Sequence, residues 1–333
     1  MRPRIMLSIL IALACGGCSA SWGEVEAATN DEMAERQAIE DAVESSIERR
    51  DFAELNAMAA DYRSKRSRTP SGTWKLSRYY RALFVHLPEA KASPTCSNPN
   101  DGFVDDWLAA HPDEPAAHMA KARLVYDYGF CLRGSAFASR SSASQLAGFQ
   151  EQIDRAIGLL ESRRETVSVD PQYYVEAIRL HGAGGGGKVA IQAMLEEGSD
   201  KEPYYYEMYF AAAEYLRPQW WGLPGDQDKL ARLAADNASQ DGKGSYARLV
   251  WYVDQMESLP IAEIDWTLMV EAMDDIAEKY PSAWNSTNFA RLACKFGDYP
   301  TAKRHLATMT SDVEGAWSSE QERIWCKAKA SIS

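Results

Sequence analysis

Several kinds of chemistry are missing from this chain of 333 residues. Histidine is scarce: His86, His111, His118, His181 and His305 lie far apart, with no C-x-x-C and no Cys/His cluster beside them. That spacing argues against a metal site, and nothing else in the chain implies a cofactor. Basic residues are outnumbered, 36 against 48 acidic ones, and no segment gathers them into a stripe. Binding to a phosphate backbone needs such a stripe, so nucleic acid is not an expected partner. No G-x-S-x-G elbow is present, and no catalytic residue is assigned. Runs of alternating strand residues are also lacking, which leaves an all-α chain as the consistent expectation.

Beyond its first residues the chain has no apolar stretch long enough to span a bilayer. The start itself is different. Arg2 and Arg4 precede an apolar run from Ile5 to Ala14 that ends in Cys15-Gly16-Gly17-Cys18. A charged start, a short apolar core and small residues at the exit predict an export signal over residues 1–18. A cysteine after small residues resembles a lipobox, so Cys15 or Cys18 is the expected site of lipidation; ordinary cleavage after Ala20 or Ala27 is the alternative. Neither Gly16 nor Ser19 resembles the Asp that retains lipoproteins on the inner membrane, so the expected location is the periplasmic face of the outer membrane. Residues 19–30 read as a flexible tether.

Removing Arg2 and Arg4 leaves 34 basic against 48 acidic residues, a formal charge of −14. Such a chain gains nothing from anionic headgroups, so membrane residence is expected through the N-terminal lipid only. In an oxidising compartment the four remaining cysteines favour disulfides, and locality favours Cys96 with Cys131 and Cys294 with Cys326.

From Asp31 the pattern is helical. Ile39, Val43 and Ile47 recur at four-residue spacing. Asp51 stands as an N-cap with Glu54 three residues on, ahead of a stripe of Phe52, Leu55, Ala59 and Tyr62. Leu146, Phe149, Ile153, Ile157 and Leu160 trace another face. Asp170-Pro171, Glu202-Pro203 and Tyr280-Pro281 read as helix starts, and breakers at 182–187, 218–225 and 242–244 separate helix-length pieces. Around Asn288 to Ala302, small Ala290 and Ala302 flank a Gly297-Asp298 turn, with Tyr299 across it. This unit, best matched over 283–310, resembles a tetratricopeptide repeat. The expectation is one domain over 31–331, an irregular stack of helical hairpins forming an α-solenoid.

Two aromatic stretches stand out. Arg68-Thr-Pro-Ser-Gly72-Thr-Trp74-Lys-Leu76 feeds a helix, and Arg217-Pro-Gln-Trp220-Trp221-Gly222 is followed by Tyr246-Ala-Arg248-Leu-Val-Trp251-Tyr252. Together they resemble a bacterial family of unknown function, number 4034, across roughly residues 35–310. The resemblance implies a fold with a tetratricopeptide-like end and implies no activity; Trp221-Gly222-Leu223 departs from its W-G-G pattern. Trp74, Arg217, Trp220, Trp221 and Arg248 are the candidate binding residues, as aromatic faces and carboxylate-binding guanidiniums, against the alternative that they pack helical layers.

Gly182 to Lys188 satisfies G-x-x-x-x-G-K, but Val189 replaces the magnesium-binding hydroxyl and a helix precedes it, so no nucleotide is expected. The acid pairs Asp105-Asp106, Asp113-Glu114 and Asp274-Asp275 read as helix-start or surface charge. The resulting expectation is a non-enzymatic helical-repeat protein that binds an envelope protein, the alternative being a polysaccharide binder or glycan-acting enzyme built on the aromatic loops.

Overall fold

The structure is a computed structural model that describes residues 31–91, 96, 102–134, 138–257, 263–309 and 312–332. The expected signal and tether, with Cys15 and Cys18, lie outside the described residues, as does Thr310 at the end of the best repeat match. The described chain is helical, with no strand; its one β-bridge joins Arg68 to Trp74.

The helices are α1 (Asp31–Glu48), α2 (Phe52–Lys65), α3 (Lys75–His86), the short α4 (Pro88–Lys91), α5 (Phe103–Ala110), α6 (Pro115–Arg133), α7 (Ala143–Glu161), the short α8 (Arg164–Val167) and α9 (Gln172–Ala183). They continue with α10 (Gly187–Lys201), α11 (Glu207–Tyr215), α12 (Asp226–Asn237), α13 (Gly244–Glu257), α14 (Trp266–Lys279), α15 (Ala283–Lys295), α16 (Tyr299–Ala307) and α17 (Glu320–Ile332). Helices α1, α3, α6, α9, α11 and α13 pack side by side as an inner row, and α2, α7, α10, α12 and α14 cover it as an outer row. This is the stack of hairpins that the spacing of helices and breakers predicts.

The stripes read from the sequence face the core. Ile39, Val43 and Ile47 are buried, as are Leu55, Ala59, Phe149, Ile153 and Leu160, each large side chain gaining about 1.5–3 kcal/mol from leaving water. Asp51 caps α2 by accepting from Glu54 N at 3.0 Å. Asp298 caps α16 through Thr301 N at 3.1 Å and also accepts from Trp266 Nε1 at 2.9 Å. Ala290 and Ala302 are fully buried where α15 and α16 approach. One expected start differs. Glu202-Pro203 opens a turn, closed by Tyr205 N donating to Glu202 O, and α11 begins only at Glu207. The turn places Tyr205 and Tyr206 inside, where a helix from residue 203 would have swung them differently.

Both disulfides join the expected pairs. Cys96 bonds Cys131 (Cα–Cα 5.6 Å), tying the segment after α4 to the end of α6; Cys294 bonds Cys326 (5.5 Å), tying α15 to α17. The second lies in a small apolar cluster of Ala293, Ala302, Trp317 and Ala330 that is separate from the main core.

The inner row bends tightly enough for distant members to touch. Trp74, at the start of α3, meets Tyr205 before α11 edge-on at 5.4 Å, and Arg36 of α1 lies 4.2 Å from the ring centroid of Trp284 in α15.

Candidate functional site

The loop from α2 to α3 lies where the bend closes. Arg66, at φ 48°, ends α2. The chain then folds into a tight hairpin: Thr69 N donates to Thr73 O, Gly72 N to Thr69 O and Lys75 N to Ser67 O, each at 2.8 Å. Gly72 has φ +86°, and a Cβ there would lie 2.6 Å from both Arg248 Nη2 and Tyr280 Cδ2, so the position requires glycine for two reasons.

Three remote helices grip this hairpin. Ser71 N donates to Glu32 Oε2 of α1 at 2.7 Å, while Ser71 O accepts from Arg248 of α13 at 2.6 Å and from Asn285 of α15 at 3.1 Å. Arg68 donates to Gly72 O at 2.8 Å and lies 5.5–5.7 Å from the ring centroids of Trp74, Tyr204, Tyr206 and Tyr280. Buried Asp241 accepts from Tyr206 and pairs with Lys279 at 2.6 Å. Burial opposes the charge on Glu32, but Arg36 and the Ser71 amide outweigh it and hold the carboxyl below its ordinary value. Asp241 is lowered in the same way, with Lys279, Tyr206 and Arg68 outweighing burial. The hairpin is a clasp that joins the first helices to α13 and α15. Two of the conspicuous sequence segments, Arg68 to Leu76 and Tyr246 to Tyr252, meet there.

Trp74 is 1 % exposed and offers no ring face to a ligand. Arg217 turns back to donate to Glu214 O at the end of α11. Trp220 packs edge-on against Tyr215 at 5.0 Å, and Trp221, though 39 % exposed, donates from Nε1 to Gly182 O at 2.7 Å. Gly222 allows this path because a Cβ there would lie 1.8 Å from Leu216 O. The 217–222 loop is thus fastened to the last turn of α9, away from Arg248 and the clasp. Lys188, the lysine of the phosphate-loop lookalike, pairs with Asp226 at 2.7 Å, and the glycines run from the last turn of helix α9 to the first residue of α10.

No family model, curated protein or solved structure matches this chain.

The acid pairs are committed to structure. Asp106 pairs with Arg50; Glu114 caps α6 through Ala116 N; Asp274 pairs with Arg304 at 3.0 Å; and Asp275 accepts from Lys243 N at 2.5 Å. Among the described residues no group of three metal-ligating side chains converges, and no helix is long and apolar enough to cross a membrane. A recess of about 440 Å³ beside α12 and α13 contains Asp228 and Asp265, both paired with Arg232 at 2.8 and 3.0 Å.

A more extended feature runs along the inner row. Arg36 (α1), Arg78 (α3), Arg123 and Asp127 (α6), Arg179 (α9), Glu207 and Glu214 (α11), and Arg248 and Tyr252 (α13) are all half-buried, and Arg81 is exposed. Polar contacts stitch one helix to the next. Arg123 lies over Phe84 of α3 at 5.3 Å, Arg179 approaches Glu214 at 3.7 Å, and Tyr252 donates to Glu214 at 2.5 Å. Tyr126 and Tyr215 share a hydrogen bond of 2.7 Å. Buried Glu176, 3.2 Å from Arg179, with Glu214, raises that guanidinium's pKa despite burial. Sequence reading missed this band because each helix contributes only one or two members. The available signal was Arg, Glu and Tyr standing off the apolar stripes of otherwise apolar helices.

Proposed function

We propose that this protein is an exported, lipid-anchored helical-repeat protein of the periplasm, held at the outer membrane, whose charged inner-row band binds an envelope protein partner. The observation that carries this reading is the band itself. Six neighbouring inner-row helices each contribute half-buried arginines, carboxylates or tyrosines, and contacts between them run from helix to helix, in a fold class whose inner faces suit extended contacts. Half-buried polar groups are well placed for recognition, since a partner can complete their hydrogen bonding without first displacing a packed core.

Export is supported by the charged and apolar start of the chain and by the two disulfides, which suit an oxidising compartment. A kinship with family 4034 is supported by the meeting of two of its shared segments at the clasp, where Gly72 and Arg248 have defined structural tasks. Trp74 offers no ring face to a glycan, because it is buried.

The test is cross-linking in intact cells followed by membrane extraction, affinity capture and mass spectrometry. Its controls are a Cys15/Cys18 double substitution and Arg81→Glu, which reverses an exposed charge on the band. The expected result is one envelope protein captured by the native chain and lost with both controls. Capture unchanged by Arg81→Glu would refute the band as the binding face, and capture unchanged by the cysteine substitutions would refute the anchor.

A further inference from the structure

The charges along the band are not evenly compensated. Around Glu214, two guanidiniums, Arg123 and Arg179, face the carboxylates of Asp127, Glu176 and Glu214. At the α1/α3 end the balance reverses. There Arg36 and Arg78 act on each other and are both acted on by Arg81, Arg36 is also acted on by Arg248, and Glu32 and Glu207 oppose them. Four guanidiniums thus gather in a protein whose formal charge is −12.

Hydrogen bonding is incomplete at the same place. Glu32 is already occupied by Arg36 and by Ser71 N. Arg248 uses Nη2 on Ser71 O, but its Nε is buried and meets no acceptor among the described residues. Arg78 makes no ion pair with a described residue, and its Nε is likewise buried without an acceptor; Glu207, which acts on it electrostatically, has a buried Oε2 that also meets no partner among the described residues. Arg81 is exposed beside them on the same helix, one turn on from Arg78. A buried charged donor without a partner is costly, about 1–3 kcal/mol or more, and native structures rarely leave one unless something satisfies it. The field at this point pulls Arg78 down to about 10, through burial first and then Arg36, as expected where cations crowd without counter-charge.

We infer that Arg78, with Arg36, Arg81 and Arg248, forms an oxyanion-binding subsite that takes a carboxylate or phosphate group. Guanidinium N–H forks match both groups in bidentate geometry, and charge-assisted bonds in a half-buried setting are the stronger class. An anion there would oppose the repulsion among the guanidiniums. The inference deepens the reading of the band as a binding face by naming the chemistry that one end of it recognises.

The experiment titrates the purified chain at low ionic strength with inorganic phosphate, pyrophosphate, succinate and citrate, by calorimetry, with sodium chloride of matched ionic strength as reference. The same titrations use Arg78→Gln, and Arg232→Gln as a remote charge control. Arg78→Gln is expected to weaken binding at least tenfold and Arg232→Gln to leave it unchanged. Preference for the phosphates or for the carboxylates identifies the source of the group, and either supports the site. Because Arg78→Gln perturbs a half-buried position, a second readout uses the native chain. Phenylglyoxal modification of Arg78, mapped by peptide mass, should slow severalfold when the anion is present. No anion binding beyond the chloride reference, binding indifferent to Arg78→Gln in a folded variant, or no protection of Arg78 would each overturn the subsite. Partner capture in cells, read with Arg81→Glu across the whole band, would still decide the binding-face proposal separately.

Discussion

Replacing Gly72 by alanine is the sharpest test of the clasp. The left-handed φ of +86° costs an alanine about 1–2 kcal/mol. Its Cβ would then lie 2.6 Å from Arg248 Nη2 and from Tyr280 Cδ2, and moving packed groups aside costs about 1–3 kcal/mol more. The total is about 2–5 kcal/mol, a large part of the stability of an ordinary domain. Gly185→Ala is the internal control, since Gly185 has φ +87° but no atom within 4 Å of the added Cβ, and it should lose only the conformational part. Equilibrium unfolding in urea gives both values, with unchanged slopes showing that the comparison is one of stability. In a Tyr280→Ala background the cost of Gly72→Ala should fall, by a coupling of about 0.5–3 kcal/mol as for residues in direct contact. A Gly72→Ala chain as stable as the Gly185→Ala chain would refute the claim that the hairpin is gripped from α13 and the turn before α15.

Two further outcomes follow from the C-terminal helices α15 to α17. Converting Cys294 and Cys326 to serine opens a loop of 32 residues and should cost about 3–4 kcal/mol on the loop-closure account, read as a lower thermal midpoint for the α15–α17 region by hydrogen exchange. His305 is buried against Phe289, and burial lowers its pKa from 6.5 to about 4, with Asp274 only partly opposing. A base with a depressed folded pKa stays neutral in the fold while the unfolded chain takes up a proton. Its contribution is therefore whole above pH 6.5 and declines as pH falls towards 4, by about 3 kcal/mol at pH 4. His305→Phe should flatten that part of the acid limb in a urea-midpoint series, and an unchanged limb would show that His305 does not carry it.

Some of this molecule was legible in its residues. The period of Ile39, Val43 and Ile47, the cap at Asp51, the Gly297-Asp298 turn, the breakers between helices and the local cysteine pairs follow from interactions within about 35 residues, which a sequence displays directly. Helix α6 was not legible from a single stripe, because it is buried on most sides and shows no polar face to set the period.

The sequence by itself determined the all-α class, the hairpin stack and the excess of acidic charge, because helical periodicity, turn chemistry and ionisation are local properties. Only the tertiary structure decided which conspicuous residues are spent on packing and which remain half-exposed. Arg68 and Arg248 look alike as exposed-type cations in sequence. One lies among four aromatic rings, while the other reaches 177 residues back to Ser71 and keeps a buried donor unpaired. Arg78 gives no local sign of its setting, since it is buried against other helices and acted on by Arg36 on one and Glu207 on another. Electrostatic and packing partners of this kind are fixed by distance in space, and chain separation carries almost no information about them.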